Sequence, residues 1–202
     1  MSQNQNEKYE KKDGKLTINS NLERAKLRYP NSDNYHDINL SVTEAGHLTG
    51  FVQPASPTQK LHLRAVKKQI ANGTFQPNLP SYAKLDYREI VDQNGEVRMA
   101  ADFVFEDVNI NGKPLTLPAG SPSVFIFTEK LSQFENKPFP KKGEKEPAAL
   151  HAYAVDAEGN LYTPACWRRK GNDGQTFFSG HAKEFDRKKY LANKKSSEPV
   201  ME

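Results

Sequence analysis

The chain has 202 residues, 36% of them apolar, 27% charged and 10% aromatic, with a formal net charge of +4. That length suits one domain with tails, since domains run ~100–150 residues, and excludes a large multi-domain machine. The longest strongly apolar run, Val124-Phe125-Ile126-Phe127, falls far short of the ~20 residues a spanning helix needs.

Residues 1–8 lack the apolar segment of a secretory signal. One cysteine, Cys166, makes neither an internal disulfide nor a thiolate metal cage. The expectation is a cytoplasmic protein with no membrane partner, no structural metal and no cofactor.

The charge is unevenly placed. Residues 1–28 hold seven Lys/Arg against four acids, a net of +3, and residues 167–195 hold nine against three, a net of +6. The stretch between, 29–166, holds 13 basic and 16 acidic residues, a net of −3. A slightly acidic body with two basic ends suits a polyanionic partner.

Residues 1–33 are dominated by Asn, Gln, Lys, Glu and Ser. They carry too little apolar surface to offset the ~1–2 kcal/mol per residue that ordering a backbone costs. This predicts a mostly disordered segment, with a short strand at 15–19 able to dock on the body. The body is predicted over 34–189. Strands at 35–42 and 47–53 are joined by a hairpin loop at 43–46.

Ser56-Pro57-Thr58-Gln59 has the capping-box form, Leu63, Val66 and Ile70 repeat at helical spacing, and Gly73 suits a left-handed terminus. Together they predict one helix over about 57–72. A strand at 82–91 turns at Asn94-Gly95, in a type I′ geometry, into a strand with Val97, Met99, Ala101, Phe103 and Phe105 on one face. Asn111-Gly112 turns the chain into 115–117, and 123–131 begins as a central strand. A Lys/Pro/Glu-rich loop at 134–147 is predicted to be mobile. A meander follows with strands at 149–155, 160–169 and 175–183, and residues 190–202 are a disordered tail. The fold class is mainly β (α+β): an antiparallel curled sheet, barrel or sandwich of eight or nine strands, one helix and disordered termini.

No catalytic frame emerges. Cys166 with His151 or His181 is the one nucleophile arrangement to weigh. The five histidines show no metal-ligand spacing, and phosphate-loop and dinucleotide patterns are absent. A non-enzyme is expected. The chemistry concentrates in the last hairpin, where Tyr162, Trp167 and Phe178 are read as rings that stack on bases. Arg168, Arg169, Lys170 and Lys183 are read as phosphate contacts, and Arg187, Lys188 and Lys189 as a trailing clamp. Stacking rings beside cations are how single-stranded nucleic acid is held, at ~1–3 kcal/mol per base.

The run Trp167-Arg168-Arg169-Lys170-Gly171-Asn172-Asp173-Gly174-Gln175-Thr176-Phe177-Phe178-Ser179-Gly180 resembles the hairpin of small plasmid- and phage-encoded, OB-like single-strand-binding β proteins. That resemblance covers about 25 residues. It implies a non-enzymatic protein that binds single-stranded nucleic acid, from a mobile element. The alternative is an inhibitor or adaptor that binds a nucleic-acid-processing or host-defence protein.

Overall fold

Apolar alternation begins earlier in the chain than the composition of its first thirty residues suggests. In the computed structural model, which describes residues 12–197, Gly14–Ile18 (β1) and Arg24–Arg28 (β2) are strands. Their Leu16, Ile18, Ala25 and Leu27 are at most 4% exposed. His36–Asn39 (β3) and Ser41–Val42 (β4) are two pieces of one bent strand, and Leu48–Phe51 (β5) returns beside β4. Helix Pro57–Ala71 (α1) leads to Ala83–Val91 (β6), Val97–Ile110 (β7), Lys113–Pro118 (β8) and Ser123–Phe127 (β9). A 3-10 turn at Leu131–Phe134 precedes Leu150–Val155 (β10), Leu161–Lys170 (β11), Thr176–Glu184 (β12) and helix Arg187–Ser197 (α2).

Nine strands form one antiparallel sheet in the order β3-β2-β1-β12-β11-β10-β9-β5-β4. Its two ends, β3 and β4, are consecutive in the chain, so the sheet curls back on itself. Ile38 bridges Val52, and the Gln53 N–H donates to the Asp37 carbonyl at 2.9 Å. The result is a nearly closed up-and-down barrel. Neighbours in space are neighbours in sequence, apart from the pairing of β1 with β12 at the two ends of the chain and one insertion between β5 and β9, which holds α1 and the separate sheet β6-β7-β8.

Small and large side chains alternate to fill the interior, as a narrow barrel requires. Ala25, Ala152, Ala154 and Ala182 sit among Leu16, Ile18, Leu27, Val124, Ile126 and Leu150. A second core lies outside the barrel wall. There Phe103, Phe105, Val108, Leu115 and Leu117 of the three-stranded sheet, with Val66 and Ile70 of α1, cover Val155 and Leu161. Strand β9 is therefore apolar on both faces, with Val124 and Ile126 inside and Phe125 against the second core.

The predicted helix is present with its caps. The Gln59 N–H donates to Ser56 Oγ at 3.2 Å, and Gln59 Oε1 accepts from the Ala55 N–H at 2.7 Å. Gly73 is left-handed at φ 68°. The final meander stands within about two residues of its expected bounds.

Four expectations need correction. First, the expected short strand at 15–19 is present as β1, but residues 24–28, read as part of a loose segment, form a second barrel strand, β2; the part of that reading on residues 1–11 lies outside the described residues. Second, residues 190–197 belong to α2, whose N-terminus is capped by Asp186 Oδ1 accepting from the Lys189 N–H at 3.0 Å; residues 198–202 lie outside the described residues. Tyr190 and Arg187 hold this polar helix down. The Tyr190 hydroxyl accepts from the Asn109 N–H, and Arg187 pairs with Asp107 over the Tyr82 ring.

Third, the loop at 134–147 is anchored at its two ends, through residues 134–139 and through Glu146. It closes one end of the barrel, where Arg168 donates to the carbonyls of Phe134, Lys137 and Pro138. Fourth, the Asn94-Gly95 turn has only Gly95 at positive φ (80°), which is a longer loop than type I′; Asn111 and Gly112, at φ 52° and 81°, form the two-residue turn instead.

Candidate functional site

Strand pairing brings the two basic ends of the sequence together. Strand β1 lies between β2 and β12, so Lys15 stands opposite Arg28 on one side and His181 on the other. One step along, Lys26, Thr17, Ser179 and Trp167 form a row across β2, β1, β12 and β11. Since side chains alternate across a strand, all of these point away from the barrel interior occupied by Leu16, Ile18 and Leu27. Arg24, Phe177, Arg169 and Lys183 share that outward face.

The face is held by its own contacts. Thr17 Oγ1 and Ser179 Oγ are 3.2 Å apart, and the Trp167 ring packs edge-on to His181 at 6.5 Å. Trp167 Nε1–H donates to the Glu146 carbonyl at 2.9 Å, which lays the lysine-rich loop beside it. Lys26 has a loose partner in Asp37 at 3.6 Å, and Lys183 has one in Asp13 at 3.4 Å. Lys15, Arg24, Arg169 and Lys170 make no salt bridge among the described residues and are exposed.

Next to this face, α2 stands off the wall of β10 and β11 and leaves a groove of about 620 Å³. Phe127, Tyr153 and Tyr190 supply rings to it, and Lys183 and Lys189 supply cations. Burial and the neighbouring Tyr190 push the Tyr153 hydroxyl up to about 12, so it stays a neutral phenol. Burial, then Lys130, lowers the His151 pKa at the groove edge.

The expected site residues divide between the two faces. Trp167, Arg169 and Lys183 face outward, the first half-buried and the other two exposed. Lys170 is exposed at the hairpin tip, Lys188 and Lys189 are exposed on α2, and Arg187 is engaged with Asp107 and Tyr82. Tyr162, Arg168 and Phe178 point the other way, and their assignments are corrected.

Phe178 is 8% exposed within the barrel core. Arg168 is 6% exposed and bonded to Glu146 at 2.5 Å, its guanidinium stacked on Phe134 and Phe139. A guanidinium so enclosed reaches no phosphate. Tyr162 is half-buried at the barrel mouth, its hydroxyl donating to Asp156 Oδ2 at 3.1 Å.

Cys166 also points inward, 1% exposed, whereas His151 and His181 lie on the outer side of the wall; the thiol and the imidazoles do not meet. Lys15, Arg24 and Lys26 were missed. Strict alternation along 14–28 is the signal that marks them as the outer side of strands.

No family model matches the chain, and neither a curated protein nor a solved structure matches it.

Proposed function

We propose that the outer wall formed by β2, β1, β12 and β11, together with the groove under α2, binds single-stranded nucleic acid without catalysis. The observation that carries this reading is the β1–β12 pairing, which sets Lys15, Arg24 and Lys26 beside Arg169 and Lys183 around the flat rings of Trp167 and Phe177. Exposed cations follow phosphates, and rings accept bases of any identity. The groove extends the same chemistry past Lys183 to Lys189, Phe127 and Tyr190.

The direct test follows Trp167, the sole tryptophan, by fluorescence while poly(dT) is added at several salt concentrations. Engagement of about five cations gives a slope of log K against log salt of roughly −3.5. Absence of binding in low salt, or an affinity that salt leaves unchanged, rules the reading out.

A second reading, a partner-binding adaptor, has its own observation. The β6–β7 hairpin carries Val91 and Val97, 69% and 64% exposed, at its tip. A protein partner retained in high salt, and lost on Val91→Asp, favours this reading over the first.

A further inference from the structure

The barrel end opposite the pinned loop opens into a cavity of about 280 Å³. The ends of β2, β5 and β10 and the starts of β3 and β11 meet here. Tyr29, His36 and Tyr162 form a ring cluster on one side, with Tyr29 5.5 Å from His36 and 5.1 Å from Tyr162 between centroids. The first turns of α1 supply Gln59 and Leu63 on the other side. His62 Nε2 reaches Glu158 Oε1 at 2.5 Å, which ties the helix to the β10–β11 turn. Asp156 and Glu158 are among the lining residues, and neither Lys nor Arg is.

Two groups in this cavity, His36 and Asp156, have no cation beside them among the described residues. His36 is 7% exposed, and its Nδ1 lies 2.8 Å from the Gln53 carbonyl. A carbonyl only accepts, so Nδ1 carries the hydrogen, and in that tautomer Nε2 is the nitrogen with a lone pair to offer. That Nε2 has no hydrogen-bond partner among the described residues.

The Asp156 carboxylate accepts from four uncharged donors: the backbone N–H groups of Glu158 and Asn160, the Asn160 side-chain amide and the Tyr162 hydroxyl. No cation stands within ion-pair distance of it among the described residues. A partly buried carboxylate bonded only to neutral donors loses hydration with no positive neighbour to offset it, and burial raises the Asp156 pKa accordingly. Phenol faces beside it are favourable surfaces for a cation.

We propose that the barrel mouth binds a small organic cation, a primary or secondary ammonium on an aromatic body. The ammonium N–H donates to His36 Nε2, Asp156 and Glu158 balance its charge, and the body rests on Tyr29 and Tyr162. This site is separate from the outer wall. Its carboxylates repel phosphate and other anions, whereas the wall attracts them.

The test titrates the full chain with benzylamine, with benzyl alcohol and benzoate as neutral and anionic probes of similar shape, followed by backbone amide NMR. Benzylamine is expected to shift, saturably, the amides around residues 36, 52–54 and 156–162. Benzyl alcohol binds at least about tenfold more weakly and benzoate does not bind. Asp156→Asn and His36→Phe each weaken benzylamine about tenfold or more while poly(dT) titrations stay as they were in the unmodified chain. Glu158→Gln, at a half-exposed position, replaces Asp156→Asn if that variant fails to fold. Equal affinity for the three probes, shifts located away from the mouth, or none at millimolar benzylamine overturns the proposal.

Discussion

Arg168 Nη2 and Glu146 Oε1 lie 2.5 Å apart at the closed end of the barrel, with side chains 5% and 6% exposed. Arg168 hangs from the barrel wall and Glu146 from the lysine-rich loop, so this pair joins the loop to the strand that carries Trp167. Truncating one partner strands the other charge out of water, which costs ~3–5 kcal/mol. Arg168→Ala is therefore expected to lower stability by about that much in urea titration, and to release the Glu146 carbonyl from Trp167, seen as a shift in its emission. Arg168→Lys does not restore the loop, because an ammonium lacks the planar fork that serves three carbonyls and a carboxylate. Arg168→Met with Glu146→Leu recovers most of the loss. If Arg168→Ala is as stable as the parent, the pair is not what holds the loop.

The two faces of β11 and β12 give opposite outcomes for adjacent residues. Arg169→Ala and Lys15→Ala, both outward and exposed, are expected to leave unfolding midpoints unchanged and to make the poly(dT) salt slope shallower by about 0.7 each. Trp167→Ala costs ~1–3 kcal/mol of binding. Phe178→Ala, by contrast, empties part of the barrel core and costs ~3–5 kcal/mol of stability. Equal binding losses at positions 168 and 169 contradict the assignment of faces.

That alternation was legible in the sequence and explains how far the reading of the site went. Tyr162, Arg168 and Phe178 fall on one side of their strands by simple counting from Trp167, so grouping all four as a single surface conflicted with period two. The helix at 57–71, the central strand at 123–127 and the last meander were legible because caps, turns and apolar periodicity agree there. Strand β1 was legible as a short docking strand, but β2 was obscured by a polar composition that averages over the tail. Only Leu16, Ile18, Ala25 and Leu27, at alternate positions, betray a buried face. Helix α2 carries no amphipathic stripe, and it is held by three contacts to distant residues, Asn109, Asp107 and Tyr82. The barrel mouth assembles residues from six parts of the chain, which no local pattern encodes.

Cys166 supplies a further check on the interior. Burial pushes its thiol up to about 12, and its Sγ rests 3.6 Å from the Leu16 carbonyl. A native thiol held protonated does not attack disulfide reagents, so modification at pH 8 is expected only at the rate of unfolding. The sign for stability follows from the same shift. Between the ordinary thiol range and about 12 the folded state keeps a proton that the unfolded state releases, so stability falls as pH rises through that window. Cys166→Ala flattens this alkaline limb while costing some core packing. Rapid native-state labelling contradicts the interior placement.

Asp156 gives the corresponding test at acid pH. Burial raises its pKa above the ordinary carboxylate range, opposed by hydrogen bonds from Asn160 and Tyr162, with Glu158 adding to the rise. Here too the folded state holds the proton more tightly than the unfolded state. The contribution of Asp156 to stability is therefore greatest at pH values below the ordinary aspartate pKa of ~3.9 and declines as pH rises through the folded-state value. In Asp156→Asn the carbonyl oxygen still accepts from the Glu158 and Asn160 N–H groups, so the turn persists while this decline disappears. Carboxyl-carbon NMR of the parent chain should place the Asp156 midpoint above ~3.9, with the neighbouring Glu158 followed in the same spectra. Benzylamine should move that midpoint downward, because a bound cation favours the charged carboxylate. A midpoint at or below the ordinary range, in the chain without benzylamine, would mean that the carboxylate already has adequate compensation and that the mouth offers no unbalanced charge.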